Sequence, residues 1–311
     1  MLQTGMNEKL RPFVSCQFKG QLGNQLFIIA ATLSHAWDTG AAALFPGLNT
    51  ETNRTSINKG RLFFRLNDSQ LPRPVRHTFQ EKLWFRWEKI PAKPDLMLDG
   101  YFQSWKYFHH HRDEILSVFA PSSFTLNVLH EKFQDLIDHP NTVAVHVRTA
   151  GKYLHASKIH QFLGLEYFRK AMAQFPPDTK FVIFSDRINW CKVHFPSLQK
   201  NLSFIEGNDG IEDLFLMSKM KHNIAANSTF SWWAAYMNQN PQKRVVVPSY
   251  WYGEPYPNDT SDLFYPDWTI IPLNRLEAYP EDMYDYGDTQ SCDNAAWDRI
   301  GQANHHFGSA D

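Results

Sequence analysis

Short apolar runs alternate with helix-like stretches through the second half of the chain. Residues 143–147, Val-Ala-Val-His-Val, form a mostly β-branched run that stops at Arg148. A short run of this kind is typical of a parallel strand that is buried on both faces. The predicted strands of this half are residues 143–147, 180–184, 202–206, 222–226 and 244–247. Because helices are predicted between them, the pattern indicates a doubly wound parallel sheet.

The first half begins with the same order of elements. Residues 13–18 are predicted to form a strand and residues 26–37 an apolar helix, with a glycine-containing turn between them. This is the first half of a nucleotide-type βαβ unit. The turn reads Gly-x-x-Gly-Asn, so the dinucleotide fingerprint Gly-x-Gly-x-x-Gly is absent. Gly23 allows a ligand to approach the backbone, and Asn24 together with the free amides of the helix start can hydrogen-bond it.

Between these regions, residues 54–93 show no regular period. The stretch carries ten Lys and Arg residues, and aromatic residues such as Trp84 and Trp87 are interleaved with them. A nucleic-acid surface, a groove for a carbohydrate acceptor and a contact with anionic lipid headgroups all have this composition. The interpretation that we favour is a solvated, variable insertion.

Composition narrows the class of protein. The chain has 311 residues, 43% of them hydrophobic and 15% aromatic, which is enough for one large or two medium domains. Its net charge of −1 argues against nucleic acid as a partner. No apolar run is long enough to cross a membrane, and the polar first eleven residues predict no signal peptide. Three scattered cysteines predict no disulfide framework, so we expect a cytoplasmic protein, with peripheral membrane contact left open.

Polar clusters follow three of the predicted strands. They are His146 with Arg148, Ser185 with Asp186, and the run Asn227, Ser228 and Thr229. Carboxyl ends of parallel strands meet at one edge, where open α/β sheets bind ligands. Arg148 and a helix start after Asn227 both favour an anion, and Asp186 can accept the N–H groups of a guanine edge. Each cluster alone also fits a salt bridge, a helix cap or a turn, but together they indicate a nucleoside diphosphate site.

Several motifs make the prediction more specific. They are residues 20–27 (Gly-Gln-Leu-Gly-Asn-Gln-Leu-Phe), 99–104 (Asp-Gly-Tyr-Phe-Gln-Ser), 146–148, 184–186, 213–218 and 221–233, the last ending in Asn-Ser-Thr-Phe-Ser-Trp-Trp. In this order, over roughly residues 13–252, the chain resembles the inverting GDP-fucose-dependent fucosyltransferases, most of all the α-1,2-fucosyltransferases.

The resemblance implies an α/β fold of GT-B type, with two Rossmann-like domains and a cleft between them. Residues 1–125 would form the acceptor-side domain, residues 126–276 the GDP-sugar-binding domain and residues 277–311 a tail. It also implies GDP-fucose as donor, a glycan acceptor with a β-galactoside 2-hydroxyl, no required cofactor and no metal.

The resemblance also suggests roles for individual residues. Arg148 would contact the β-phosphate, His146 the guanosine region and Asp186 the base, while the helix start would bind the pyrophosphate. The residues carried over to donor binding are Gly23, Asn24, His146, Arg148, Asp186, Asn227, Ser228, Thr229 and Phe230. For catalysis, Arg148 would stabilise the leaving group. His155 and Asp99 are candidates for the general base, beside ordinary roles as a loop histidine and a strand-end carboxylate.

One departure from the family pattern leaves alternatives open. The family continues His-x-Arg-Arg-x-Asp, whereas Thr149, Ala150 and Gly151 follow Arg148 in this chain. A catalytically weakened sugar-nucleotide-binding homologue and a transferase for another nucleotide sugar are therefore the two rival hypotheses.

Overall fold

The computed structural model describes residues 11–50, 55–149, 162–253 and 259–274. Two parallel sheets organise these residues. The first has the order β2-β1-β4-β3. Its strands are β1 (Phe13–Cys16), β2 (Ala42–Ala43), β3 (His77–Gln80) and β4 (Leu96–Asp99). Helices of this half are α1 (Leu22–Thr39), α2 (Thr55–Arg61) and α3 (Arg112–Val118).

The expectation of an irregular insertion at residues 54–93 is wrong in part. The segment contains α2, and it contributes β3, which pairs in parallel with β4. The sequence does not reveal β3 because three of its four residues are exposed, so no apolar alternation marks it.

The second sheet confirms the doubly wound parallel pattern. Its order is β10-β9-β8-β5-β6-β7. The strands are β5 (Thr142–Val147), β6 (Lys180–Ser185), β7 (Leu202–Phe204), β8 (His222–Ile224), β9 (Val245–Pro248) and β10 (Thr269–Ile271). The helices are α4 (Ser123–Asp138), α5 (Gly164–Met172), α6 (Ile188–His194), α7 (Gly210–Lys219) and α8 (Thr229–Met237). The sequence missed β10, which has three residues of which two are exposed.

The proposed domain boundary falls inside a helix. Helix α4 already begins at Ser123, before the boundary at residue 125, because the Ser122 hydroxyl caps it by accepting the Thr125 amide at 3.2 Å. The division at residue 125 stays a prediction.

A continuous hydrophobic core joins the two halves. Helix α1 packs against α8, and the Phe27 ring lies 4.4 Å from the Trp232 ring and 5.2 Å from the Trp233 ring, between centroids. These three side chains are fully buried. This aromatic contact sets the starts of the two helices beside each other. No described helix combines the length and the apolarity that crossing a membrane requires.

Candidate active site

The sheet order brings the three polar clusters together. Strand β5 lies between β8 and β6, with Val145 opposite Ile224 and His146 opposite Phe184. The residues that follow these three strands therefore share the carboxyl edge of the second sheet. The prediction that the clusters lie on neighbouring strands is confirmed.

Arg148 and Asp186 form an ion pair at this edge. The Arg148 Nη1 donates to Asp186 Oδ2 at 2.8 Å. The Thr149 amide and hydroxyl both donate to Asp186 Oδ1 at 2.9 Å. Burial alone would raise the pKa of Asp186, but the Arg148 cation and the Thr149 donors outweigh it and hold that pKa below its usual value. Asp186 is thus ionised, and it fixes Arg148 through one nitrogen of the guanidinium.

His146 is buried behind this pair. Burial and the neighbouring Arg148 cation lower its pKa to about 4, although Asp186 opposes the shift. The imidazole is therefore neutral at physiological pH. Its Nδ1 is buried and has no hydrogen-bond partner among the described residues. The ring lies 5.5 Å from the ring of Phe230 in the first turn of α8. A ring nitrogen in this position is suited to hydrogen-bond a ligand without adding charge.

The start of α8 offers backbone amides. Ser228 is the N-cap residue, and its hydroxyl accepts the Phe230 amide at 3.4 Å. The amide nitrogen of the buried Asn227 side chain donates to the Trp251 carbonyl at 3.1 Å, which fixes the loop before the helix. The first turn contains no acidic residue. An uncompensated helix start of this kind favours an anion.

The start of α1 contacts the start of α8 directly. The Asn24 Oδ1 accepts the Thr229 hydroxyl at 3.0 Å and the Gln103 side-chain amide at 2.8 Å. A Cβ at Gly23 would lie 2.5 Å from the Thr229 hydroxyl and 2.6 Å from the Phe230 amide nitrogen. Only glycine fits this approach. Gly23 and Asn24, predicted to contact the donor, thus also join the two halves.

Two positive helix ends therefore meet at one place. The N-cap of α1, Gln21, makes no side-chain capping hydrogen bond, and neither helix has an acidic residue in its first turn. Adjacent helix N-termini repel each other in the absence of an anion. A diphosphate bound beside them would relieve this repulsion, and Arg148 on the neighbouring strand end would add a full positive charge.

The carboxyl edge of the first sheet carries further charged groups. Asp99, at the end of β4, forms an ion pair with Lys19 in the loop after β1. Glu81 follows β3 and accepts the Tyr101 amide at 2.7 Å and the Phe102 amide at 2.9 Å through Oε2. Asp99 stays a candidate base, now with a defined cationic partner. His155, the other candidate, lies outside the described residues.

Sequence reasoning assigned no role to Gln103 or Glu81. Gln103 belongs to the motif at residues 99–104, so its place beside Asn24 could have been suspected from that motif. Glu81 gave no signal, because β3 itself was not predicted and the residue fell in the expected insertion.

Two other features lie away from this site. Asp38, His110 and His111 bring one potential metal-ligating atom each within 4.8 Å of one another at the end of α1. Surface pockets of about 390 and 380 Å³ border the C-terminal end of α8, around Asn238 and Gln239. Since the helix start lies at its other end, neither pocket belongs to the site.

Known proteins match both the sequence and the fold. The model of the family described as glycosyl transferase family 11 matches residues 75–272, which is more than half of the chain. The chain belongs to this family. The match includes β5, β6 and α8, and so it covers Arg148, Asp186 and the helix start.

Relatives in this family carry transferase names. The O-antigen biosynthesis glycosyltransferase WbnK of Escherichia coli is 35% identical over 58% of this chain and 62% of its own length. The α-1,2-colitosyltransferase of Escherichia coli is 32% identical over 49% of this chain and 55% of its own. The galactoside α-(1,2)-fucosyltransferase 1 of Bos taurus is 30% identical over 70% of this chain and 64% of its own. The chain thus spans less than two thirds of the length of each.

Solved structures confirm the fold. Fucosyltransferase NodZ from Bradyrhizobium superposes with a TM-score of 0.51 at 14% identity, over 72% of this chain and 92% of NodZ. A second NodZ crystal structure, described as an α-1,6-fucosyltransferase co-crystallised with GDP, gives 0.50 at 15% identity, over 72% and 91%. The predicted α/β fold of GT-B type is thereby confirmed.

Proposed function

We propose that this protein transfers L-fucose from GDP-fucose to a hydroxyl group of a glycan, with the 2-hydroxyl of a β-galactoside as acceptor. One observation carries the proposal: the starts of α1 and α8, neither of which has an acidic residue in its first turn, meet at Gly23 and Thr229, beside a strand that is followed by Arg148. Cations and free amides that converge in this way suit a diphosphate leaving group. Family membership and the names of the relatives agree with this chemistry.

Different residues of the candidate active site have different roles in an inverting transfer. The acceptor oxygen attacks the anomeric carbon in line with the bond to the diphosphate, and the charge that develops on the diphosphate needs stabilisation. The Arg148 guanidinium and the first amides of α8 supply this without a metal. His146, held neutral by burial, provides a hydrogen bond to the nucleotide, and Asp186 both orients Arg148 and faces the base. Asp99 or His155 would accept the acceptor proton.

Thr149 stands at the position where this chain departs from the family pattern. It follows Arg148 where the family has a second arginine, and its amide and hydroxyl bind Asp186. In this chain Asp186 is therefore held by Arg148 and by two neutral donors of Thr149, without a second arginine. This supports an active transferase over a weakened homologue, because the remaining Arg148 is still oriented by a fixed carboxylate.

A product assay tests the proposal. Purified protein is incubated with GDP-fucose and a panel of galactosides, and the products are analysed by mass spectrometry and by NMR of the anomeric proton. We expect one added fucose with α linkage to the 2-hydroxyl, with a rate that EDTA does not change. Binding of GDP without transfer to any acceptor on the panel would favour the weakened homologue instead.

Another deoxysugar donor is the second candidate, because one relative bears the name α-1,2-colitosyltransferase. Thermal-shift measurements with GDP, UDP and CDP separate the nucleotides, and competition between GDP-fucose and other GDP-sugars in the transfer assay separates the sugars. Stabilisation by UDP and not by GDP would contradict the fucose proposal.

A further inference from the structure

Glu81 lies at the edge of the first sheet that faces the candidate site. It follows the last residue of β3, whose Gln80 pairs with Asp99 of β4. Its amide donates to the Asp99 carbonyl at 2.9 Å, which extends the pairing by one residue. The side chain then turns back to the segment that leaves β4, residues 100–104. This segment is called the acceptor-side segment below.

A single carboxylate oxygen organises the start of that segment. Oε2 accepts the amides of both Tyr101 and Phe102. Gly100 allows the approach, since a Cβ there would lie 2.4 Å from the Glu81 Cβ. Phe102 has a φ of 52°, in the left-handed region that a bulky side chain rarely adopts. Such a conformation persists when the surroundings impose it, and here the carboxylate does so together with burial of the Phe102 ring.

The strained turn delivers Gln103 to the junction of the two halves. The residue after Phe102 is the buried Gln103, which donates to Asn24 Oδ1 at 2.8 Å. The same oxygen accepts the Thr229 hydroxyl from the start of α8. A continuous line of contacts therefore leads from Glu81, through the turn and Gln103, to both helix starts.

We propose that Glu81 is a positioning residue: it fixes the acceptor-side segment so that Gln103 holds Asn24 against Thr229. It acts through these residues, because its Oε2 is occupied by the amides of Tyr101 and Phe102. The kinetic part of the proposal rests on the transfer reaction proposed above; the structural part does not.

The ionisation of Glu81 supplies an independent signature. Burial raises its pKa to about 7; the amides of Phe102 and Tyr101 and the Lys19 cation oppose the shift, and Glu88 adds to it. The titratable and charged groups that face it are Lys19, Glu88, Asp99, Tyr101, Tyr107 and Tyr252. The ionised form binds the two amides more strongly than the protonated form. Transfer should therefore rise with pH through about 7.

Two variants and a matched control test the proposal. Glu81→Ala removes both hydrogen bonds, and we expect kcat/KM for transfer to fall about 10- to 100-fold, as for other displacements of a site by about 1 Å. Glu81→Gln keeps an oxygen for the two amides, so it should retain most of the activity but lose the rise through pH 7. The control is Asp209→Asn, because Asp209 Oδ1 also accepts two backbone amides, those of Ile211 and Glu212 at the start of α7, but takes no part in the contacts that join Glu81 to the helix starts. It should behave like the wild type.

The outcomes separate the positioning role of Glu81 from the proposed transfer reaction. Glu81→Gln as inactive as Glu81→Ala would overturn positioning and point to a carboxylate that acts on the acceptor itself. Wild-type activity in Glu81→Ala would overturn it as well. If the wild type transfers no sugar, the proposed function fails. Hydrogen exchange then tests whether Glu81 fixes the acceptor-side segment and the two helix starts. Exchange at residues 100–104, 22–25 and 229–231 should accelerate together in Glu81→Ala; acceleration confined to residues 100–104 would refute the link.

Discussion

The two halves of the molecule present the same kind of sheet edge in different ways. In the second half, the residues of the site follow regular strands, and the partly buried carboxylate of Asp186 has Arg148 and Thr149 as partners. In the first half, the edge is irregular. The non-glycine residues with positive φ in the described chain, Phe85, Asp95 and Phe102, all belong to this half.

The carboxylates show the same contrast. Asp186 and Glu81 are both largely buried, yet the pKa of Asp186 is lowered and that of Glu81 is raised to about 7. Burial favours the neutral form of both, and only Asp186 has an adjacent guanidinium to outweigh it. The second half thus holds a fixed charge pattern, suited to one constant ligand. The first half combines a titrating group with strained backbone, which clusters at ligand-binding sites.

The largest expected effect on transfer comes from removing the Arg148 guanidinium, which is paired with Asp186. Arg148→Ala should lower kcat for transfer on the order of 10²–10³-fold, because it removes stabilisation of the leaving diphosphate. It also removes the charged partner of Asp186 at 2.8 Å, which should destabilise the fold. Adding Asp186→Asn should restore the unfolding midpoint but not the activity. The control is Arg169→Ala, which breaks an exposed pair with Glu166 on α5. Equal losses of activity in Arg148→Ala and Arg169→Ala would contradict the assignment.

The titrating carboxylate of the first half predicts an unusual pH dependence of stability. The folded-state pKa of Glu81 is about 7, against 4.5 without perturbation, so the native state holds a proton that the unfolded state releases. Its contribution to stability is therefore complete below pH 4.5 and is lost as the pH rises to 7. Glu81→Gln cannot titrate. We expect its free energy of unfolding, relative to wild type, to increase by about 2–4 kcal/mol between pH 4 and pH 8. Urea unfolding at both pH values measures this, and a constant difference would refute the shift.

This contrast also explains what the sequence could reveal. Apolar strands with polar residues at their ends are enough to predict the second sheet apart from β10, the place of Arg148 after β5 and the helix start at Ser228 from the sequence alone. The pairing of Arg148 with Asp186 was not predictable, because periodicity locates strand ends but not side-chain partners. In the first half, β3 is mostly exposed and Glu81 acts through two amides at least 20 residues away in the chain, so no local pattern marks either.

The junction of the halves should tolerate little added volume. Gly23→Ala places a methyl group 2.5 Å from the Thr229 hydroxyl and 2.6 Å from a backbone nitrogen, so the two helix starts must separate. We expect a loss of about 1–3 kcal/mol in the free energy of unfolding, together with weaker GDP binding. Gly60→Ala is the control, because nothing lies within 4 Å of the Cβ it would add on α2. If both variants unfold at the same urea concentration, the close approach does not constrain the protein.

The smallest expected effect is the loss of stability when the hydrogen bond between Thr229 and Asn24, across the junction of the halves, is removed. Thr229→Val keeps the shape of the side chain but removes the hydroxyl that donates to Asn24 at 3.0 Å. The loss should be about 1 kcal/mol in stability, the usual net value of one hydrogen bond. Thr39→Val at the end of α1 is the control, since its hydroxyl bonds within its own helix, to the His35 carbonyl at 2.7 Å. Because single losses of this size are common, a double-mutant cycle that combines Thr229→Val with Asn24→Ala is needed. We expect a coupling energy of about 0.5–1 kcal/mol between these two substitutions and none between Thr39→Val and Asn24→Ala. Additive effects in that cycle would mean that the polar link from the acceptor-side segment has no role in aligning the two helix starts.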